Sequence, residues 1–97
     1  MAVYGDGMTV VEEKPQTGLG LDDVFQVTLW NDDVNDFQYV IDCLIKVFGH
    51  SEPVAERITM EAHLNGRAVA EVEDRTSAQC HAAQLGRMGL EATVESI

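Results

Sequence analysis

The period of the apolar residues changes once, abruptly, between Trp30 and Phe37, and this change constrains the fold more than any other feature of the chain. Phe25, Val27 and Leu29 alternate with Gln26 and Thr28, which reads as a strand with one buried face. From Phe37 the step becomes three and four. Phe37, Val40, Ile41, Leu44, Val47 and Phe48 share one side, with Gln38, Asp42 and Lys46 on the other, and Gly49 ends the helix. Between the two patterns lie Asn31, Asp32, Asp33, Asn35 and Asp36. Asn and Asp favour turns and helix caps, so a turn with Asn35 or Asp36 as cap is the ordinary reading. A strand-to-helix junction also leaves acceptor oxygens outside the regular backbone pairing, where they can face a small positive group.

The remaining punctuation sets the element order. Ser51-Glu52-Pro53 opens a second helix, with Ser51 as cap and Pro53 tolerated in the first turn. Val54, Ile58 and Ala62 form one stripe of it, Ala55, Thr59 and His63 the adjacent one, and Asn65-Gly66 closes it. Arg67 to Glu73 alternates again, with Ala68, Ala70 and Val72 set against Val69, Glu71 and Glu73. A third helix runs from Asp74 to Met88, capped by Asp74 or Thr76, with Ala78, Ala82 and Leu85 inward. Leu90, Ala92 and Val94 then mark a last strand. The order β-α-α-β-α-β predicts an α+β domain, a three-stranded antiparallel sheet packed on three helices, over residues 24–97. Residues 1–23 lack a sustained period and read as a flexible N-terminal arm. Within them Met8–Val11 reads as disordered rather than as a docking segment or an added edge strand.

At 97 residues the chain is sized for one domain with one modest core. Six Lys and Arg against 17 Asp and Glu leave a net charge of −11, which repels nucleic acid and anionic membrane. The same charge favours a cationic ligand or a basic patch on a partner protein. Cys43 and Cys80 lie in helical patterns without metal-ligand spacing and read as buried, reduced thiols. No apolar run reaches the length of a membrane span and no secretory signal is expected, so the location expected is cytoplasmic.

Three kinds of chemistry compete for the junction and His63. A metal site built on Asp32, Asp33 and His63 lacks any ligand pair at helical i, i+4 spacing. Hydrolysis lacks a nucleophile elbow, since Ser51, Ser77 and Ser96 fall at caps or ends. Binding of an α-amino group fits better. That group is largely cationic at neutral pH and offers three donors. The amide oxygen of Asn31, a carboxylate of Asp33 or Asp32 and an imidazole nitrogen of His63 are three acceptors. Each bond to the charged group contributes about 1.5–3 kcal/mol. An apolar hollow beside them, taking a bulky first side chain, adds a similar amount and brings affinity to about micromolar order. No catalytic residue and no cofactor is expected.

The segments F-Q-V-T-L-W-N-D-D-V-N-D-F-Q-Y-V (25–40), G-H-S-E-P-V-A-E-R-I-T-M-E-A-H-L-N-G-R-A-V (49–69) and the C-terminal L-E-A-T-V together resemble the ClpS family. Its members are adaptors that bring N-end-rule substrates to a Clp AAA+ unfoldase and the ClpP peptidase. The resemblance implies that Asn31, Asp33 and His63, with Asp32 beside them, hold the substrate α-amino group. It implies that Asn35, Phe37, Val40, Thr59, Ala62 and Leu90 line the pocket for a first residue of Leu, Phe, Tyr or Trp. It further implies an arm used in hand-over and a monomer that docks on an unfoldase of the ClpA or ClpC type. Family members often carry Met at the positions of Thr59 and Phe37 and Thr at that of Asn35. Thr59 in place of a gating Met points to a roomier pocket, which the bulkier Phe37 would partly refill. At Thr76 and His81, where the unfoldase-facing helix often carries an acidic and a basic residue, the pattern differs too. The alternative is a protein-interaction module of similar fold without an amino-terminal pocket.

Overall fold

A computed structural model describes residues 24–97 in full, together with the backbone of two short strands, β1 (Ala2–Tyr4) and β2 (Met8–Val11). After these come β3 (Val24–Trp30), α1 (Phe37–Phe48), α2 (Glu52–Asn65), β4 (Arg67–Asp74), α3 (Arg75–Arg87) and β5 (Ala92–Ser96). The antiparallel core sheet has β3 in the middle, with β4 on one side and β5 on the other. This is the three-stranded sheet and three helices expected. Beyond it, β2 pairs with β5 in parallel through Val10–Val94 and Val11–Glu95, and β1 pairs with β2 antiparallel. Met8–Val11 is therefore a strand and not disordered. The partner it needs is the edge of β5, which lies more than eighty residues away in the chain and leaves no mark on the local pattern. The rest of the arm expected over 1–23 lies outside the described residues.

One sheet face is covered by the helices. Phe25, Val27, Leu29, Ala92 and Val94 are buried there against Val40, Ile41 and Leu44 of α1, Ala55 and Ile58 of α2, and Ala78, Ala82 and Leu85 of α3. These are the inward steps that the two periods predict, and burying each large aliphatic side chain contributes about 1.5–3 kcal/mol. Gly49 and Gly66 end α1 and α2 at φ 76° and 91°, in the left-handed region that a side chain disfavours. Asp74 caps α3 by accepting from the Ser77 amide at 2.8 Å.

Two expectations change. The register of β3 on β4 shifts between Val27, opposite Glu71, and Thr28, opposite Val69, so Ala70 is an extra, bulged residue. Past the bulge the faces exchange. Val72 is exposed, while Glu71 and Glu73 turn towards the helical side. There the Glu73 carboxylate accepts from His81 Nδ1 at 2.7 Å, and His50 Nε2 donates to the Ala70 carbonyl at 2.8 Å. The second correction is Cys80, which is exposed whereas Cys43 is buried. The buried stripe of α3 runs through Ala78, Ala82 and Leu85, and a residue two positions after Ala78 points away from it.

Candidate functional site

The end of β3, the loop after it, the start of α1 and the last turns of α2 enclose a hollow of about 270 Å³. Asn31, Asp32, Asp33 and Asn35 from the loop, Phe37 and Val40 from α1, and Thr59, Ala62 and His63 from α2 all line it. Of the pocket and α-amino residues named from sequence, only Leu90 stands apart. It is buried in the core and not among the lining residues. Leu29 and Trp30 line the hollow and were not named. The sequence signal for both was their position directly before Asn31, overlooked because alternation assigns Leu29 to the core and Trp30 to the opposite face.

The loop is held by its own polar groups. Asp32 Oδ1 accepts from the amides of Val34 at 2.8 Å and Asn35 at 2.9 Å, while its Oδ2 accepts from the Asn35 side chain at 2.6 Å. Partial burial pulls the Asp32 carboxyl upward. The bonds from the Asn35 side chain and from the two amides outweigh it and leave the group below the ordinary carboxylate value. Asn35 also donates to the Gly89 carbonyl at 3.0 Å, and the Tyr39 hydroxyl donates to the Met88 carbonyl at 2.7 Å. The start of α1 is thereby fastened to the end of α3. The Asn31 amide donates to the Gly66 carbonyl at 2.9 Å, fixing the end of β3 against the close of α2. Asp32 thus spends both oxygens on the loop, whereas Asn31, Asp33 and His63 line the same hollow without that role.

Those three residues are exposed at the mouth. Asn31 Nδ2 donates to Asp33 Oδ1 at 3.2 Å. Among the described residues nothing is bonded to the other oxygen of Asp33, to the side-chain oxygen of Asn31 or to either nitrogen of His63. The hollow therefore offers a carboxylate oxygen, an amide oxygen and an imidazole nitrogen together. Its deeper wall is apolar. Leu29, Val40 and Ala62 are buried. Thr59, also buried, donates its hydroxyl to the Ala55 carbonyl at 2.8 Å and so has no donor left to satisfy. A cation with several N–H donors joined to a bulky apolar group matches this arrangement. Among the described residues no cluster of three or more His, Cys, Asp or Glu is arranged to hold a metal ion. None of the helices among them is long and apolar enough to cross a membrane.

Thr76 and His81 do not line the hollow. Thr76 is exposed near the start of α3, and the His81 ring is held between Glu73 and the edge-on ring of Phe48, 5.1 Å between centroids.

The chain is similar to known proteins over most of its length. The family described as ATP-dependent Clp protease adaptor protein ClpS matches residues 21–93. ClpS adapter proteins of Mycobacterium bovis and Mycobacterium tuberculosis are 36% identical over 67 residues, which cover 69% of this chain and 66% of theirs. That of Mycobacterium leprae is equally similar over 62% of its length. The matched region is thus slightly under two thirds of these relatives. Among solved structures, Agrobacterium tumefaciens ClpS2 bound to L-phenylalaninamide superposes with a TM-score of 0.75 at 32% identity, covering 78% of this chain and 99% of that one.

Proposed function

The chain belongs to the ClpS family, and from that premise we propose that it is an adaptor for a Clp protease, binding proteins by a bulky hydrophobic first residue (Leu, Phe, Tyr or Trp) and its free α-amino group. The observation that carries this reading is the hollow itself, with unpartnered acceptors on Asn31, Asp33 and His63 at its mouth and an apolar wall of Phe37, Val40, Thr59 and Ala62 behind them. L-phenylalaninamide, the ligand of the Agrobacterium relative, joins a free α-amino group to a phenyl side chain and has the same two-part chemistry. The net charge of −11 adds a field that attracts a cationic terminus. Binding needs no covalent step. The bound protein is handed to an AAA+ unfoldase of the ClpA or ClpC type and degraded by ClpP, with the α3 face around Thr76 and His81 as the docking surface. The adaptor works as a monomer in the cytoplasm.

Fluorescence anisotropy with peptides beginning Phe, Leu and Arg, each free and acetylated, tests the reading. Free Phe and Leu peptides bind with Kd of about micromolar order. Acetylation abolishes binding, because it removes the charge and two donors and leaves the mouth acceptors facing a neutral amide. Equal affinity for free and acetylated peptides would overturn the amino-terminal pocket and leave a general interaction module. A His63→Ala variant that bound its peptides normally would do the same.

A further inference from the structure

A second hollow of about 220 Å³ is lined by Gln26, Thr28, Glu61, Arg67, Ala68, Val69 and Glu95. The two hollows meet at one pair of side chains. Trp30 lines the first, Arg67 lines the second, and the Arg67 guanidinium sits 5.5 Å from the centre of the Trp30 ring. Trp30 is pinned from the other side, since its indole N–H donates to Thr93 Oγ1 at 2.9 Å. The Trp30–Arg67 contact thus joins the linings of the two hollows.

Gln26, Thr28, Val69 and Glu95 lie on the sheet face opposite Phe25, Val27 and Leu29, and Glu61 reaches the hollow from α2. Glu95 is the key group in it. Its Oε1 accepts from Gln26 Nε2 at 3.1 Å and from Thr28 Oγ1 at 3.2 Å, while Gln26 also donates to the Thr28 hydroxyl at 3.0 Å. Both donors to the carboxylate are neutral. Among the described residues no cation pairs with it, although Arg67 lines the same hollow. A half-buried carboxylate held by neutral donors, with no bond to its second oxygen among the described residues, is preorganised for a cation. Gln26 stands opposite Glu95 in the ladder and lies four positions before Trp30, so the carboxylate sits about 13 Å along the strand from Trp30. An extended peptide covers that distance in about four residues.

We propose that this hollow is a second binding site for the same ligand, taking the residues that follow the first one of a bound amino-terminal peptide and favouring Lys or Arg three to four places downstream. The inference rests on the amino-terminal reading above and adds the class of sequence that the adaptor selects.

The test is anisotropy at low salt with free peptides beginning Phe and differing only at position four (Lys, Ala or Glu), bound to the full chain and to two variants. Glu95→Gln keeps an oxygen that can accept from Gln26 and Thr28 but removes the charge. Glu56→Gln removes one charge from an exposed position that lines neither hollow. The Lys peptide binds the full chain about threefold tighter than the Ala peptide, as one partly solvated ion pair allows. That advantage disappears in Glu95→Gln and survives in Glu56→Gln, with thermal melts of both variants near that of the parent. An advantage that persists in Glu95→Gln, or falls equally in both variants, assigns the preference to the overall acidic field and overturns the site. Binding of all three peptides with equal affinity overturns the second site alone. Failure of every free Phe peptide to bind removes the amino-terminal pocket and this inference with it.

Discussion

Asp32 and Asn35 grip each other twice, through the Asn35 amide on Asp32 Oδ1 and the Asn35 side chain on Asp32 Oδ2. The loop between β3 and α1 is shaped by this exchange. Asp32→Ala removes three hydrogen bonds from the loop, as a lost cap does from a helix. It should cost about 1–2 kcal/mol of stability in urea unfolding and weaken peptide binding without abolishing it. Asp33→Ala should do the reverse, with little change in stability and about a tenfold or larger loss of affinity for a free Phe peptide.

The same carboxylate gives the chain an acid-sensitive increment of stability. Its folded value lies below the ordinary 3.8. A depressed folded value means stabilisation that is complete above the unfolded value and is lost as pH falls through the folded one. The stability gap between the parent and Asp32→Asn should therefore be constant from about pH 7 to pH 5 and close below about pH 4. A gap that does not change down to pH 2 would remove the charge from the explanation.

In the proposed function Thr59, which lines the hollow, sets what the apolar wall accepts. Thr is smaller than the Met that the family often carries, so peptides beginning Ile or Val should bind within about a hundredfold of Leu. Thr59→Met should widen that margin. Ile binding more than about a hundredfold below Leu in the parent chain would show that Phe37 refills the space.

Much of this site was legible from the residue pattern, and the exceptions have physical causes. The alternation over Phe25, Val27 and Leu29 and the helical steps after Phe37 report burial directly, so the elements and the place of the junction follow. Asn31, Asp33 and His63 come together at one hollow, and what marks them in the sequence is the chemistry of acceptors outside regular backbone pairing. The role of Asp32 was hidden, because a run of Asn and Asp does not say which carboxylate the loop amides will claim. Val72 was assigned to the wrong face because one bulged residue at Ala70 inverts everything after it. Leu90 follows Gly89 and is buried in the core, and it is not among the residues that line the hollow.

The two thiols provide a simple check on packing. Burial raises the Cys43 thiol above its ordinary value, whereas Cys80 is exposed. A disulfide reagent at neutral pH should label one thiol per folded chain quickly and the second only on unfolding. Rapid labelling of both would contradict the burial of Cys43 on the inner side of α1.

Gly66 joins two parts of the site, since it ends α2 just after His63 and its carbonyl receives the Asn31 amide. Gly66→Ala places a side chain at φ 91° and should cost about 1 kcal/mol or more in stability. It should also weaken peptide binding, because His63 and Asn31 lose their common support. Unchanged affinity would separate the backbone turn from recognition.

The bulge at Ala70 has a consequence for life in a crowded cell. A bare outer strand is a template on which other chains can continue a sheet, and β4 is the outer strand on its side. Here the repeat is broken in the middle, the bulged carbonyl is occupied by His50, and Glu71 and Glu73 follow at once. A protein that works as proposed, beside chains being unravelled, meets many loose, sticky strands. The single extra residue makes this edge a poor place for them to nucleate aggregates.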